Sequence, residues 1–174
     1  MKTITALFLL AATAFIFLPV QNQTVGITAA LLPDGTIIDS IFVEKAKREM
    51  TVFCKGVSLK KYRIALGQQP VGHKQFEGDS KTPEGLYRIN GKNPVSRFHK
   101  SLGIDYPDTK DANFARAQGM KPGGDIKIHG FPNQVPKGGN MLGDWTNGCI
   151  GITNDEIDDL YSHTRVGAKI LIVP

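Results

Sequence analysis

The feature that most constrains this chain is the rhythm of its β-prone runs, short stretches rich in Val, Ile, Leu and aromatic residues, each cut off by Gly, Pro, Asn or Asp. Runs that short cover one face of a sheet but cannot make the long apolar stripe of a helix bundle. Strands are predicted over 40–44, 50–54, 57–65, 86–90, 102–106, 125–129 and 150–152, with a strongly apolar last strand over 166–173. Lys55-Gly56 joins the second and third as a hairpin. Two windows break the rhythm. Residues 109–118 read as a helix capped by Asp108 or Thr109 and stopped by Gly119, and residues 155–163 as one capped by Asn154, in which Ile157, Leu160 and Tyr161 recur at helical spacing. The acidic residues opening the second suit a helix N-terminus better than a metal site. The expectation is a mainly β domain with two or three short helices.

Residues 1–20 stand apart, with Met1-Lys2 followed by an uncharged apolar run from Ile4 to Val20. They read as a signal peptide or an N-terminal membrane anchor, without a sharp Ala-x-Ala cleavage site. Either reading exports the domain, to the periplasm or the outer face of the cytoplasmic membrane. Residues 21–39, with the turn Leu32-Pro33-Asp34-Gly35, read as a poorly ordered linker, and residues 40–174 as a single domain. A chain of 174 residues, 41% of them hydrophobic, can bury one real core. The net charge of +5 comes from 21 basic and 16 acidic residues that are scattered rather than gathered into a stripe. That excludes sequence-specific nucleic-acid binding and fits weak attraction to anionic envelope polymers or lipid head groups, or a domain kept soluble by charge.

The chemistry is carried by Ile126-Lys127-Ile128-His129-Gly130 and by Asp144-Trp145-Thr146-Asn147-Gly148-Cys149-Ile150. Cys149 supplies a thiol, a nucleophile once deprotonated, and His129 a base that titrates near neutrality. In a strand over 125–129, Lys127 and His129 share the face opposite Ile126 and Ile128. Gly148 is expected to remove a Cβ where a substrate backbone approaches and to turn backbone N–H groups toward an oxyanion. The loop 130–146 is too long for a tight hairpin and is expected to cover the pair. Trp145 reads either as a platform for a sugar or peptide plane or as a core anchor. Cys54, a small apolar strand residue, could pair with Cys149 in an exported protein and block the chemistry, but the glycine beside Cys149 favours catalysis. His73, Lys74 and Asp79 lie in a Gly- and Pro-rich loop, either solvated or one wall of a groove, and Arg97, His99 and Lys100 form a small basic cluster.

His129-Gly130, sixteen intervening residues counted from His129, then Thr146-Asn147-Gly148-Cys149 resembles the signature of the L,D-transpeptidase catalytic domain (YkuD) family. The similarity extends to Gly67-Gln68-Gln69-Pro70-Val71-Gly72-His73-Lys74 and to Gly78 through Ile89, so it covers roughly residues 38 to 174. Two positions depart from the pattern. Asn147 stands where many members carry a second His, and Ile150-Gly151 replaces the usual apolar-Arg or apolar-Asn pair.

The resemblance implies a β-sandwich or barrel-like fold, with residues 40–174 as the catalytic domain. It implies a peptidoglycan stem tetrapeptide as donor, attacked by Cys149 to give a thioester, with His129 as base and then acid. Gly130 is expected to orient the imidazole, Gly148 to help form the oxyanion site, and Thr146 and Asn147 to fix the cysteine loop. Trp145, His73 and Arg97 are candidate substrate contacts. Neither a metal nor an organic cofactor is expected. His73, His99, His129 and His163 lack the spacing of a zinc site. The rivals are an L,D-carboxypeptidase or hydrolase with the same Cys-His site and a non-catalytic envelope-binding module; oligomeric state is not readable.

Overall fold

The computed structural model describes residues 31–174. The expected signal or anchor over 1–20 and the first part of the expected linker lie outside them. Eight strands and two helices follow in order: β1 Ile38–Glu44, β2 Glu49–Cys54, β3 Val57–Arg63, β4 Gly85–Ser96, β5 His99–Ile104, α1 Thr109–Ala117, β6 Lys127–His129, β7 Ile150–Gly151, α2 Asn154–His163 and β8 Thr164–Val173. The domain is mainly β. The strands form a single curled sheet in the order β3-β2-β1-β8-β4-β5-β6-β7, in which β1 with β8 and β6 with β7 are parallel and the other neighbours antiparallel.

Strand β4 is the hinge of this architecture. Gly85 to Arg88 pair with β8, whereas Ile89 to Ser96 pair with β5, so one strand serves both halves of the sheet. The sequence reading ended this strand at Asn90, whereas it runs on to Ser96. Pro94 is tolerated because it falls where the β4–β5 register slips, between Asn93 and Ser96, and no ladder donor is needed there. The two ends of the strand order then meet. Just past β3, Ala65 and Gly151 exchange both backbone hydrogen bonds, at 2.8 and 2.9 Å. Inside the curl lie Ile41, Val43, Met50, Val52, Tyr62, Ile89, Leu102, Ile128, Ile150, Ile170 and Ile172.

Two sequence expectations are corrected, the linker boundary and the cap of α2. Strand β1 begins at Ile38, within the expected linker, and Leu32 is also buried, its N–H donating to the Asp159 carboxylate at 3.0 Å. The cap of α2 is Thr153, not Asn154. Its hydroxyl accepts the Glu156 N–H while the Glu156 carboxylate accepts the Thr153 N–H, a capping box. Asn154 instead reaches sideways, and its Oδ1 accepts the Phe131 N–H at 2.8 Å. The first helix is capped by Asp108, one of the two residues expected there. Both Cys54 and Cys149 are free thiols.

Candidate active site

Parallel pairing of β6 with β7 sets Ile128 beside Ile150 and His129 beside Gly151. Residues in register on parallel strands project to the same side, so the two isoleucines enter the core together. Carried one position back, the register puts Cys149 beside Lys127, on the face from which His129 also projects, one residue pair away.

The imidazole is held from every side. His129 is 3% exposed. The Phe98 ring lies 4.3 Å from it, and the Trp145 indole meets it edge-on at 5.5 Å. Nδ1 is 2.7 Å from the Gly130 carbonyl oxygen. A carbonyl only accepts, so Nδ1 carries the proton and Nε2 presents its lone pair. Burial lowers the pKa of His129 below its ordinary value; the Gly130 bond opposes that and the Lys127 charge adds to it.

Cys149 is half-buried, its Sγ 3.7 Å from the Asp125 carbonyl oxygen. Asp125 has φ 58°, a left-handed conformation that Asp tolerates better than most residues. Burial pushes the thiol pKa up, and the backbone N–H and ammonium of Lys127 pull it back only in part. Both shifts disfavour the charged forms, imidazolium and thiolate.

Thr146 ties the cysteine loop. Its hydroxyl donates to the Cys149 carbonyl at 2.7 Å and accepts the Gly148 N–H at 3.1 Å. That commits the Gly148 N–H, which the sequence reading had offered to an oxyanion. The Cys149 N–H is used by no hydrogen bond among the described residues. Gly148 has φ 128°, and a Cβ there would lie 2.6 Å from the Lys81 carbonyl oxygen. The backbone that approaches it thus belongs to the chain's own 67–85 loop and not to a substrate. A Cβ on Gly130 would meet Asn154 Oδ1 at 2.5 Å, so that glycine admits helix α2. Asn147 is exposed, with only a long 3.4 Å bond from Gln68 Nε2.

Trp145 packs over Gly151, where a Cβ would lie 2.5 Å from the indole Cζ2. With His129 on one side and Phe131 on another, the indole is a packing element. Its outer side lines a cavity of about 360 Å³ with Arg48, Arg63, Met141 and Glu156. Of the loop expected to cover the pair, Trp145 lies against His129, whereas its middle is placed elsewhere. Residues 135–142 line this cavity and a second of about 860 Å³ over the start of α2, and neither His129 nor Cys149 belongs to either wall.

His73 is a clip. Its Nδ1 accepts the Glu84 N–H at 2.9 Å, and its Nε2 donates to Asp111 at 3.0 Å, which fastens the 67–85 loop to α1. Both nitrogens are spent, so the expected substrate contact is not available. Arg97 is exposed on the β4–β5 turn, while its neighbours His99 and Lys100 both bind Asp158 of α2 at 2.8 Å. Sequence reasoning missed Phe98, Asp125 and the part played by Lys127. The alternation that put Lys127 on the His129 face was the available signal for the last; nothing local marked the other two. No three His, Cys, Asp or Glu side chains are gathered as a metal-binding group among the described residues.

The model of the L,D-transpeptidase catalytic domain, YkuD, matches residues 38–172. The chain belongs to this family. Among curated relatives, YafK of Escherichia coli K12, named as a candidate L,D-transpeptidase, is 32% identical over 105 residues, 59% of this chain and 36% of YafK. A variant of the helical cell shape determining protein Pgp2 of Campylobacter jejuni superposes with a TM-score of 0.61 at 25% identity, over 82% of this chain and 49% of that one. Bd1075 of Bdellovibrio bacteriovorus, at 23% identity and a TM-score of 0.55, covers 83% and 52%, and shares the fold. The L,D-transpeptidase domain described here thus spans about a third of YafK and half of Pgp2.

Proposed function

We propose that this YkuD domain is a peptidoglycan L,D-transpeptidase that works through a thioester on Cys149, at the outer side of the cytoplasmic membrane. What supports this is the β6–β7 register, which, carried one position past its last pair, sets Cys149 beside Lys127 two residues before His129, together with the Gly130 bond that leaves Nε2 as the basic nitrogen. A stem tetrapeptide presents the carbonyl of its third residue to Sγ. As the S–C bond forms, the thiol proton passes to His129 Nε2, and the oxygen takes the electron pair and faces the unpaired Cys149 N–H. The tetrahedral adduct collapses, the C–N bond breaks, and the leaving amine takes the proton back from Nε2. An amine of a second stem, or water, then attacks the thioester carbonyl and gives a proton to His129 Nε2; the S–C bond breaks and the departing sulfur takes that proton back. Transfer is favoured over hydrolysis by family membership alone.

Intact-mass measurement after exposure to a stem tetrapeptide tests the reading. A covalent tripeptidyl adduct is expected on the wild type and is absent in Cys149→Ser. An unmodified wild type, with sacculus binding unaffected by that substitution, would leave the envelope-binding alternative standing. Product analysis separates the two enzymatic outcomes, since cross-linked dimers mean transfer and tripeptide monomers alone mean hydrolysis.

A further inference from the structure

A donor whose last residue is expelled carries a free carboxylate about one residue, ~3.5 Å along the chain, beyond the bond that breaks. A site that reads this anion needs an accessible cation beside Cys149. Gly151, one ladder position from Ile150, has no side chain to offer. Two ammonium groups act electrostatically on the sulfur, those of Lys127 and Lys74. Lys74 is committed: its side chain is 4% exposed and binds the Phe76 carbonyl and the Asp79 carboxylate, both at 2.8 Å. Lys127 is 31% exposed, and its one charged partner among the described residues is Asp125, at 2.6 Å and itself 82% exposed. So exposed an ion pair holds weakly, and a ligand carboxylate can replace Asp125 at little cost.

Resting on the thioester reading above, we propose that Lys127 receives the terminal carboxylate of the donor peptide, with Asp125 holding the ammonium until the substrate arrives. The position suits the task. Carried one position past its last pair, the β6–β7 register puts Lys127 beside Cys149, and strand alternation gives the Lys127 side chain the same face as His129. The same residue turns its N–H toward Sγ, so the strand that positions the nucleophile also measures the end of the substrate. The other cations raised by the sequence serve less well, because His73 is spent on Glu84 and Asp111, His99 and Lys100 are paired with Asp158, and Arg97 stands exposed on the β4–β5 turn.

The test compares two donors on the full chain, a stem tetrapeptide with a free C-terminus and the same peptide as its C-terminal amide, reading the rate and KM of Cys149 acylation by intact mass. Lys127→Gln is expected to raise KM for the free acid by about 10- to 100-fold, the loss of one charge-assisted hydrogen bond, and to leave the amide within about twofold. Lys127→Arg keeps most of the preference, and Asp125→Asn, a change the left-handed backbone accepts, lowers KM for the free acid. Equal losses on acid and amide would overturn the proposal, because Lys127 would then act on the thiol alone, as would an unchanged preference or one abolished by Arg97→Gln instead. A wild type acylated by neither peptide overturns the thioester reading as well. A normal wild type with an indifferent Lys127→Gln overturns this inference only.

Discussion

At the scale of single residues, burial disfavours charge on both groups of the candidate site. Burial lowers the pKa of His129 and raises that of Cys149, which disfavours a resting thiolate–imidazolium pair. The rate of Cys149 acylation should therefore hold on the acid side to below pH 6.5, the ordinary value of a histidine, before protonation of Nε2 removes the base. Alkylation by iodoacetamide without substrate should stay slow through neutrality and climb only above pH 9.0, the ordinary value of the thiol; fast alkylation at pH 6 would reveal a stored thiolate instead. Gly151 is a second point of control. Gly151→Ala drives a methyl into the Trp145 indole and should cost about 1–3 kcal/mol in urea unfolding. Trp145→Phe in the same chain should restore part of that loss, since the two positions share one contact.

At the scale of elements, helix α2 holds the histidine strand from behind. Asn154 accepts the Phe131 N–H and Ile157 packs where Gly130 has no side chain, so the turn after His129 is seated on the first turn of the helix. Thr153→Ala should cost about 1 kcal/mol through the lost cap, with little effect on the site. Asn154→Ala should cost about 1–3 kcal/mol and also slow acylation, because the freed Phe131 N–H loosens the Gly130 carbonyl that orients the imidazole. Measuring both quantities on both variants separates cap from brace. This is also where the sequence stopped being informative. Strands β1, β2, β3 and β8 and helix α2 were legible because alternation or helical spacing is a local property, and Cys149 and His129 stood out as candidates because they fall at the spacing of the family's pattern. Asn154 looked like a cap because Asn commonly is one, and only a neighbour twenty-three positions back in the chain gave it other work. The length of β4 and the burial of Leu32 were hidden for the same reason, as each depends on a partner far off in sequence, β5 and Asp159 respectively.

At the scale of the molecule, buried charge links the described N-terminal segment to the rest. Asp159 on α2 accepts the Leu32 N–H, pairs with Lys60 of β3 at 2.7 Å and receives the Tyr62 hydroxyl at 3.2 Å. Burial alone would raise the Asp159 pKa, but Lys60, the Leu32 N–H and Tyr62 together hold it below 3.8. Its contribution to stability is thus present above pH 3.8 and lost as the pH falls through the lower folded value. His129 works in the same direction: its folded pKa is depressed, so the unfolded chain binds the extra proton first and stability declines as the pH drops below 6.5. Urea midpoints should therefore fall on acidification in two stages, and Asp159→Asn should cost about 3 kcal/mol at neutrality while flattening the lower stage. The seam between Ala65 and Gly151 carries a further consequence. The glycine that fastens the last strand to the first is also the ladder partner of His129 and the bed for Trp145. Fraying at this clasp would disarm the imidazole while most of the sheet is still standing, so inactivation by heat should run ahead of melting.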